Sequence, residues 1–175
     1  DMTTSSPKLA RRIWEAGKAR GLGVLDAPVT GGDKGAREAI LTILVGGDEA
    51  DFKAVMPYFE KMGRTICRMG GAGAGQNAKL ANQIAIAGTM TGMCEAMAFA
   101  KSCGLDLETL LGAIGGGAAS SWSLTNYSPR ILKGDFKPGF FIKHYIKDMR
   151  LAEEAAGELK MDLPALALTL KLYEK

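Results

Sequence analysis

The chain has 175 residues, a formal net charge of +3 and a hydrophobic content of 47%, which is the balance of an ordinary globular protein. No run of Lys or Arg exceeds two residues, so the sequence lacks the electrostatic footprint of a nucleic-acid-binding protein. Its three cysteines form no Cys-x-x-Cys pair and its one histidine has no neighbouring Cys or His, so we expect reduced thiols in a cytoplasmic protein and no metal site.

Residues 1–72 are predicted to alternate between helix and strand. A helix begins at Pro7, because proline is common at the first helical position after a serine cap, and it ends near Arg20 before a glycine. The segment 40–45 is apolar or β-branched throughout, which is typical of a strand buried on both faces. The remaining predictions here are a strand at 23–27, a turn from Pro28, a helical turn at 34–38, a helix at 48–62 and a strand at 65–69.

Residues 73–175 are predicted to contain only helices. The longest, at 76–101, has no proline and carries apolar residues at helical spacing. Its part 80–100 has the length of a membrane span, but Asn82, Gln83 and Glu95 favour a buried helix of a soluble protein. Further helices are predicted at 106–114, 121–133, 141–159 and 163–175. The predicted fold class is therefore the last strands of an α/β sheet followed by an all-α domain.

The start of this long helix gathers polar side chains. Lys79 and Gln83 lie one turn apart, with Asn82 beside them and Gln76 a turn earlier. Burying a lysine costs free energy unless it is paired, so a lysine in this helix indicates a function. The alternative is that Lys79 extends its ammonium group to solvent. The spacing alone does not decide between the two.

Two further motifs allow both a functional and a structural interpretation. Thr30-Gly31-Gly32 follows a predicted strand, so we expect it at the carboxyl edge of the α/β sheet, where ligands normally bind. Its backbone N–H groups and hydroxyl suit a carboxylate; a plain tight turn is the alternative. Lys147-Asp148 lies within a predicted helix, where such a pair is usually a solvated surface pair. The segment 73–78 matches a Gly-x-Gly-x-x-Ala dinucleotide fingerprint, which we reject because no second strand follows its helix.

These motifs occur together, in this order, in the β-hydroxyacid dehydrogenases, which the chain resembles over essentially its whole length. The resemblance is to 3-hydroxyisobutyrate dehydrogenases and to tartronate, glyoxylate and succinic semialdehyde reductases, and more distantly to 6-phosphogluconate dehydrogenases. The segments that carry it are 1–7, 26–32, 44–47, 70–83, 95–96 and Lys147-Asp148.

The resemblance implies a fold, a reaction and a set of site residues. Residues 1–72 would be the C-terminal part of a Rossmann-like NAD(P)-binding domain that includes the substrate turn. Residues 73–175 would be an all-α domain for substrate binding and oligomerisation, with a long interdomain helix and the active site between the domains. The implied catalytic residues are Lys79 as general acid/base, with Asn82 and Gln83 orienting the substrate. The resemblance also implies Thr30, Gly31 and Gly32 for the substrate carboxylate, and Thr4, Lys147 and Asp148 for NAD or NADP.

The expected protein is thus an oxidoreductase that interconverts a small 3-hydroxy acid and its semialdehyde, as a homodimer or homotetramer. Gln83 stands where many members have Asn, and Thr30 replaces the commoner Ser. The family's nucleotide-binding loop would precede Asp1, so we expect little activity from these residues alone. Two alternatives stay open: an inactive helical module for oligomerisation or binding, and a decarboxylating enzyme of the 6-phosphogluconate dehydrogenase type.

Overall fold

The computed structural model describes all residues from 1 to 175, with four strands and nine helices. The strands are β1 (Leu25–Asp26), β2 (Val29–Thr30), β3 (Leu41–Gly47) and β4 (Gly63–Gly70). The helices are α1 (Pro7–Lys18), α2 (Gly32–Arg37), α3 (Glu49–Phe59), α4 (Ala74–Ser102), α5 (Leu107–Ile114), α6 (Trp122–Asn126), α7 (Ser128–Leu132), α8 (Ile142–Glu158) and α9 (Pro164–Tyr173). No strand follows β4, as the sequence predicts.

The sheet is built around β3, whose residues are almost all buried, as its apolar sequence predicts. β4 pairs with β3 in parallel on one side, while β1 and β2 pair antiparallel with β3. The register of the antiparallel pairs is continuous, with Asp26 opposite Gly46 and Thr30 opposite Thr42. β1 and β2 therefore form one strand along β3, interrupted where Pro28 lacks an N–H to donate.

The prediction of a turn from Pro28 was therefore wrong. The carbonyl of Pro28 still accepts a hydrogen bond from Leu44 N at 3.0 Å, so the chain stays in the sheet across the proline. Similarly, the single helix predicted at 121–133 is two short helices, α6 and α7. The break falls at Tyr127, two residues before Pro129, which has no N–H to donate to the preceding turn of a continuous helix.

The compact units of the chain differ from the predicted division at residue 72. The first unit comprises residues 1–83 and 139–162, and the second comprises residues 84–138 and 163–175. The secondary structure does change near residue 72, but α8 and the start of α4 belong to the same unit as the sheet. A side-chain hydrogen bond between Gln83 on α4 and Asp148 on α8 explains this grouping. Because the two residues are 65 positions apart, local sequence patterns do not predict their contact.

The second unit is entirely helical. Its core includes Met93, Met97 and Leu124, and the hydroxyls of Thr91 and Thr169 lie 2.8 Å apart. Cys94, an apolar residue at helical spacing along α4, is exposed, and its neighbour Met93 is buried instead. None of the helices combines the length and the apolar character that crossing a membrane requires.

The first turn of α4 is packed tightly onto the sheet. The Asp26 carboxylate, which is buried, accepts hydrogen bonds from Gly73 N at 2.7 Å and from Gln76 N at 2.8 Å. A Cβ at Gly75 would overlap the carbonyl oxygens of Leu44 and Asp26. This close approach places the beginning of α4, and the residues that follow it, at a set position against the sheet.

We therefore predict opposite effects for two glycine-to-alanine substitutions in α4. Gly75→Ala should lower the free energy of unfolding by about 2 kcal/mol or more, because backbone atoms would have to move. Gly88→Ala should raise it by up to about 1 kcal/mol, because no atom lies within 4 Å and alanine favours the helix. Urea unfolding measures both, and equal effects of the two would contradict the tight contact.

Candidate active site

Lys79 lies on the second turn of α4 and is buried, with 7% of its surface exposed. None of the ion pairs of the structure includes it, and its ammonium group forms no hydrogen bond with the protein. The alternative of a lysine extended to solvent is therefore wrong. A buried cation without a direct partner is costly, so the surroundings of Lys79 decide its protonation.

Three influences act on the pKa of Lys79. Burial is the largest and lowers the pKa, because the charged form loses hydration. The Asp148 carboxylate opposes this and raises the pKa, whereas the Lys147 ammonium lowers it. The net result is a pKa below the ordinary value for lysine. A lysine of this kind can both donate and accept a proton nearer to neutral pH than a surface lysine can.

Asp148 on α8 is tied to α4 through Gln83. Gln83 Nε2 donates to Asp148 Oδ2 at 2.7 Å, and Gln83 Oε1 accepts from Asn82 Nδ2 at 2.8 Å. An ionised carboxylate can only accept, which fixes the orientation of the Gln83 amide. Tyr145 adds a second link, since its hydroxyl donates to the backbone oxygen of Gln83 at 3.1 Å. Three polar residues that the sequence singles out thus form one hydrogen-bonded chain.

Lys147 joins this chain from the other side of Asp148. Its ammonium lies 2.8 Å from Asp148 Oδ1 and donates to Thr4 O at 2.6 Å. The ordinary surface pair suggested as an alternative does not describe this arrangement, because the Asp148 side chain is only 2% exposed. No aligned hydrogen bond reaches Asp148 Oδ1, so this oxygen is held by charge alone.

Gln76 is a member of the site to which the sequence assigns no role. It is fully buried, and its side chain accepts from Ser5 N at 3.0 Å and donates to Thr3 O at 2.8 Å. The segment carrying Thr4 is therefore held by Gln76 from one side and by Lys147 from the other. An amide one turn before Lys79 was the only sequence signal. Asp26 lies in a segment that carries the resemblance, but no local pattern predicts that it caps α4, since it comes from a distant strand.

The turn Thr30-Gly31-Gly32 is placed differently from the expectation. Because β2 runs antiparallel to β3, this turn lies beside Thr42 near the start of β3, not at the carboxyl edge of the parallel strands. Gly31 and Gly32 have φ values of +127° and +63°, which glycine adopts readily, and both are exposed at the start of α2. No hydrogen bond or ion pair joins the turn to Lys79.

Two family models together cover nearly the whole chain. Residues 73–175 match the NAD-binding segment of NADP-dependent 3-hydroxyisobutyrate dehydrogenase, and residues 1–71 match the NAD-binding domain of 6-phosphogluconate dehydrogenase. The chain belongs to the β-hydroxyacid dehydrogenase family. This confirms the resemblance, and the cofactor that both descriptions name agrees with the expected NAD or NADP.

Relatives within this family are similar over the full chain. An uncharacterised oxidoreductase of Bacillus subtilis is 52% identical over 175 residues, which is all of this chain and 61% of that protein. The 2-hydroxy-3-oxopropionate reductase of Escherichia coli is 42% identical over 99% of this chain and 59% of its own. The chain thus spans about three fifths of the length of these relatives.

A solved structure of the same family has the same fold. The 3-hydroxyisobutyrate dehydrogenase of Mycobacterium tuberculosis, determined with L-serine, superimposes with a TM-score of 0.93 at 33% identity. The match covers 99% of this chain and 62% of the mycobacterial one. The small sheet followed by helices is therefore an arrangement that the β-hydroxyacid dehydrogenases share.

The charges around Lys79 predict shifts of opposite sign in its pKa. Asp148→Asn should lower the pKa of Lys79 further, because burial and Lys147 would then act unopposed. Lys147→Met should raise it, because a repelling charge is removed. The pH dependence of Lys79 acetylation, followed by mass spectrometry with exposed Lys101 as an internal control, measures both shifts. Shifts of the same sign in the two variants would contradict this account of the site.

Proposed function

We propose that this chain is part of an NAD- or NADP-dependent dehydrogenase that interconverts a small 3-hydroxy acid and its semialdehyde. The observation that carries the proposal is a buried lysine with a lowered pKa beside a carboxylate and two amides. The family membership and the names of the relatives support the same class of reaction. Since the chain spans only part of those relatives, the proposal concerns the whole protein.

Lys79 carries the proton transfer in this proposal. In the direction of reduction its ammonium group donates a proton to the oxygen of the semialdehyde as negative charge develops there, and in the direction of oxidation the neutral amine accepts it. A lowered pKa brings the two forms closer in population near neutral pH. The Asp148 carboxylate favours the ammonium form of Lys79, which burial disfavours. This one carboxylate therefore sets the balance between the proton-donating and the proton-accepting form of the lysine.

Substrate and cofactor would be held by the remaining residues. The exposed N–H groups of Gly31 and Gly32, with the Thr30 hydroxyl, suit the substrate carboxylate. A bound nicotinamide cofactor supplies the hydride. Thr4 and Lys147, with Asp148, would hold its nicotinamide end, and the buried Ser5 hydroxyl beside them has no hydrogen-bond partner in the protein. This unsatisfied hydroxyl fits a segment that meets a polar ligand group.

The two alternative functions are less well supported. A purely structural module gains nothing from a buried lysine, because burial of the ammonium group costs free energy. A decarboxylating enzyme of the 6-phosphogluconate type would have a His-Asn pair at the position of Asn82 and Gln83, and neither amide can titrate. We also propose a cytoplasmic homodimer or homotetramer acting on a small carboxylate substrate, as in the family resemblance.

The test is turnover by the full reading frame that contains this chain. NADH and NADPH are offered with a panel of short semialdehydes, and Lys79→Ala is compared with Lys101→Ala, an exposed lysine at the end of the same helix. We expect Lys79→Ala to lower kcat roughly 10³-fold, because the proton donor is lost, and Lys101→Ala to match the parent. Circular dichroism confirms that both variants fold. Undiminished turnover in Lys79→Ala would refute the assignment.

A further inference from the structure

We propose that Gln83 is a positioning residue that acts on Lys79 through Asp148, and that it does not touch the substrate. This inference rests on the proposed function, and it departs from the substrate-orienting role that the family resemblance implies for this position. It also concerns a place where this chain carries Gln and many members of the family carry Asn. The longer side chain reaches Asp148 on another helix.

The polar groups of Gln83 are already used within the protein. The residue is 2% exposed, its Nε2 donates to Asp148 Oδ2 at 2.7 Å, and its Oε1 accepts from Asn82 Nδ2 at 2.8 Å. Hydrogen bonds to a buried charge are among the stronger ones, and an incoming substrate would have to replace one. Gln83 therefore holds neighbouring residues of the site in place and has no free polar group for the substrate.

The effect of Gln83 follows from where Asp148 stands. This carboxylate interacts with two lysines: the ammonium group of Lys147 lies 2.8 Å from Oδ1, and the pKa of Lys79 is raised by its charge. Asp148 and Lys147, both on α8, are the charged side chains that shift the pKa of Lys79. Gln83, one turn after Lys79, holds the other carboxylate oxygen against α4. Without that bond, the half-exposed Lys147 would be free to draw the carboxylate away from Lys79.

Asn82 is then the amide left for the substrate. It is half-buried and uses one N–H in the bond to Gln83, while its second N–H and its Oδ1 have no partner in the protein. The two neighbouring amides therefore divide the work. Gln83 orients Asn82 and Asp148, and Asn82 presents the polar atoms that can meet a carbonyl or hydroxyl group of the substrate.

The test separates these two roles by steady-state kinetics of the full reading frame. Gln83→Met keeps the length of the side chain and removes the amide. We expect it to lower kcat roughly tenfold, to move the alkaline limb of the pH profile to lower pH, and to leave KM within about twofold. Asn82→Ala should instead raise KM and leave the pH profile in place. A Gln83→Met variant with a KM raised more than tenfold and an unmoved pH limb would overturn the proposal.

A second measurement does not depend on turnover. The pH dependence of Lys79 acetylation is compared in the parent, Gln83→Met, Asp148→Asn and the double variant, with Asn77→Leu as a control that removes an exposed amide from the same helix. If Gln83 acts through Asp148, both single variants lower the pKa of Lys79 and the double variant adds nothing to Asp148→Asn. Additive shifts, or no shift in Gln83→Met, would refute the linkage.

The acetylation result also separates the two levels of inference. If the parent turns over no semialdehyde while the non-additive shift is present, the proposed function fails and the positioning role of Gln83 survives. If turnover depends on Lys79 but Gln83→Met shifts nothing, only the positioning role fails. Unfolding curves accompany each variant, and Gln83→Asn, which keeps an amide too short to reach across to α8, replaces Gln83→Met if that variant does not fold.

Discussion

The burial of one lysine on α4 is the constraint on which the rest of this site depends. Water stabilises an ammonium group strongly, so a folded chain keeps a lysine inside only if nearby groups compensate part of the loss. Here the compensation comes from a single carboxylate, Asp148, which also forms an ion pair with Lys147. Small changes in the position of that carboxylate therefore change the protonation of Lys79. The pKa of Lys79 is therefore sensitive to the residues that hold the Asp148 carboxylate in place.

Those supports form a closed set of contacts within the first unit. Gln83 and Tyr145 bind α8 to α4, and Lys147 binds α8 to the segment of Thr4. Gln76 completes the set by binding that same segment to α4. Gln83, Lys147 and Gln76 each bond to two partners, so the loss of any of these side chains leaves polar groups of the site unsatisfied. These hydrogen bonds also explain why α8 belongs to the same unit as the sheet, although it follows a long helical stretch of sequence.

The sheet contributes by placing the start of α4. Asp26 caps the helix from β1, and the absence of side chains at Gly46 and Gly75 lets the helix backbone approach the strands closely. These contacts fix the position of Lys79 relative to β3, the strand with which the other three pair. The turn at Thr30 follows β2, which also pairs with β3. The single strand β3 therefore helps to position both Lys79 and the Thr30 turn, the two proposed substrate contacts.

The sequence by itself indicated most of the helices and strands, the family, and the residues that we propose as the reacting groups. Helices and strands follow from the spacing of apolar residues, and the chemistry of Lys79 follows from its residue type and from its place on an apolar helix. Local patterns failed where the deciding partner was distant: the strand across Pro28 needs β3, and the burial of Asp148 needs α4. Only the tertiary structure decided that Lys79 is enclosed, that Gln83 is committed to Asp148, and that Asp26 caps the helix. Hydrogen bonds between residues 50 or more positions apart leave no periodic trace in a sequence, and they set the electrostatics on which the proposed reaction depends.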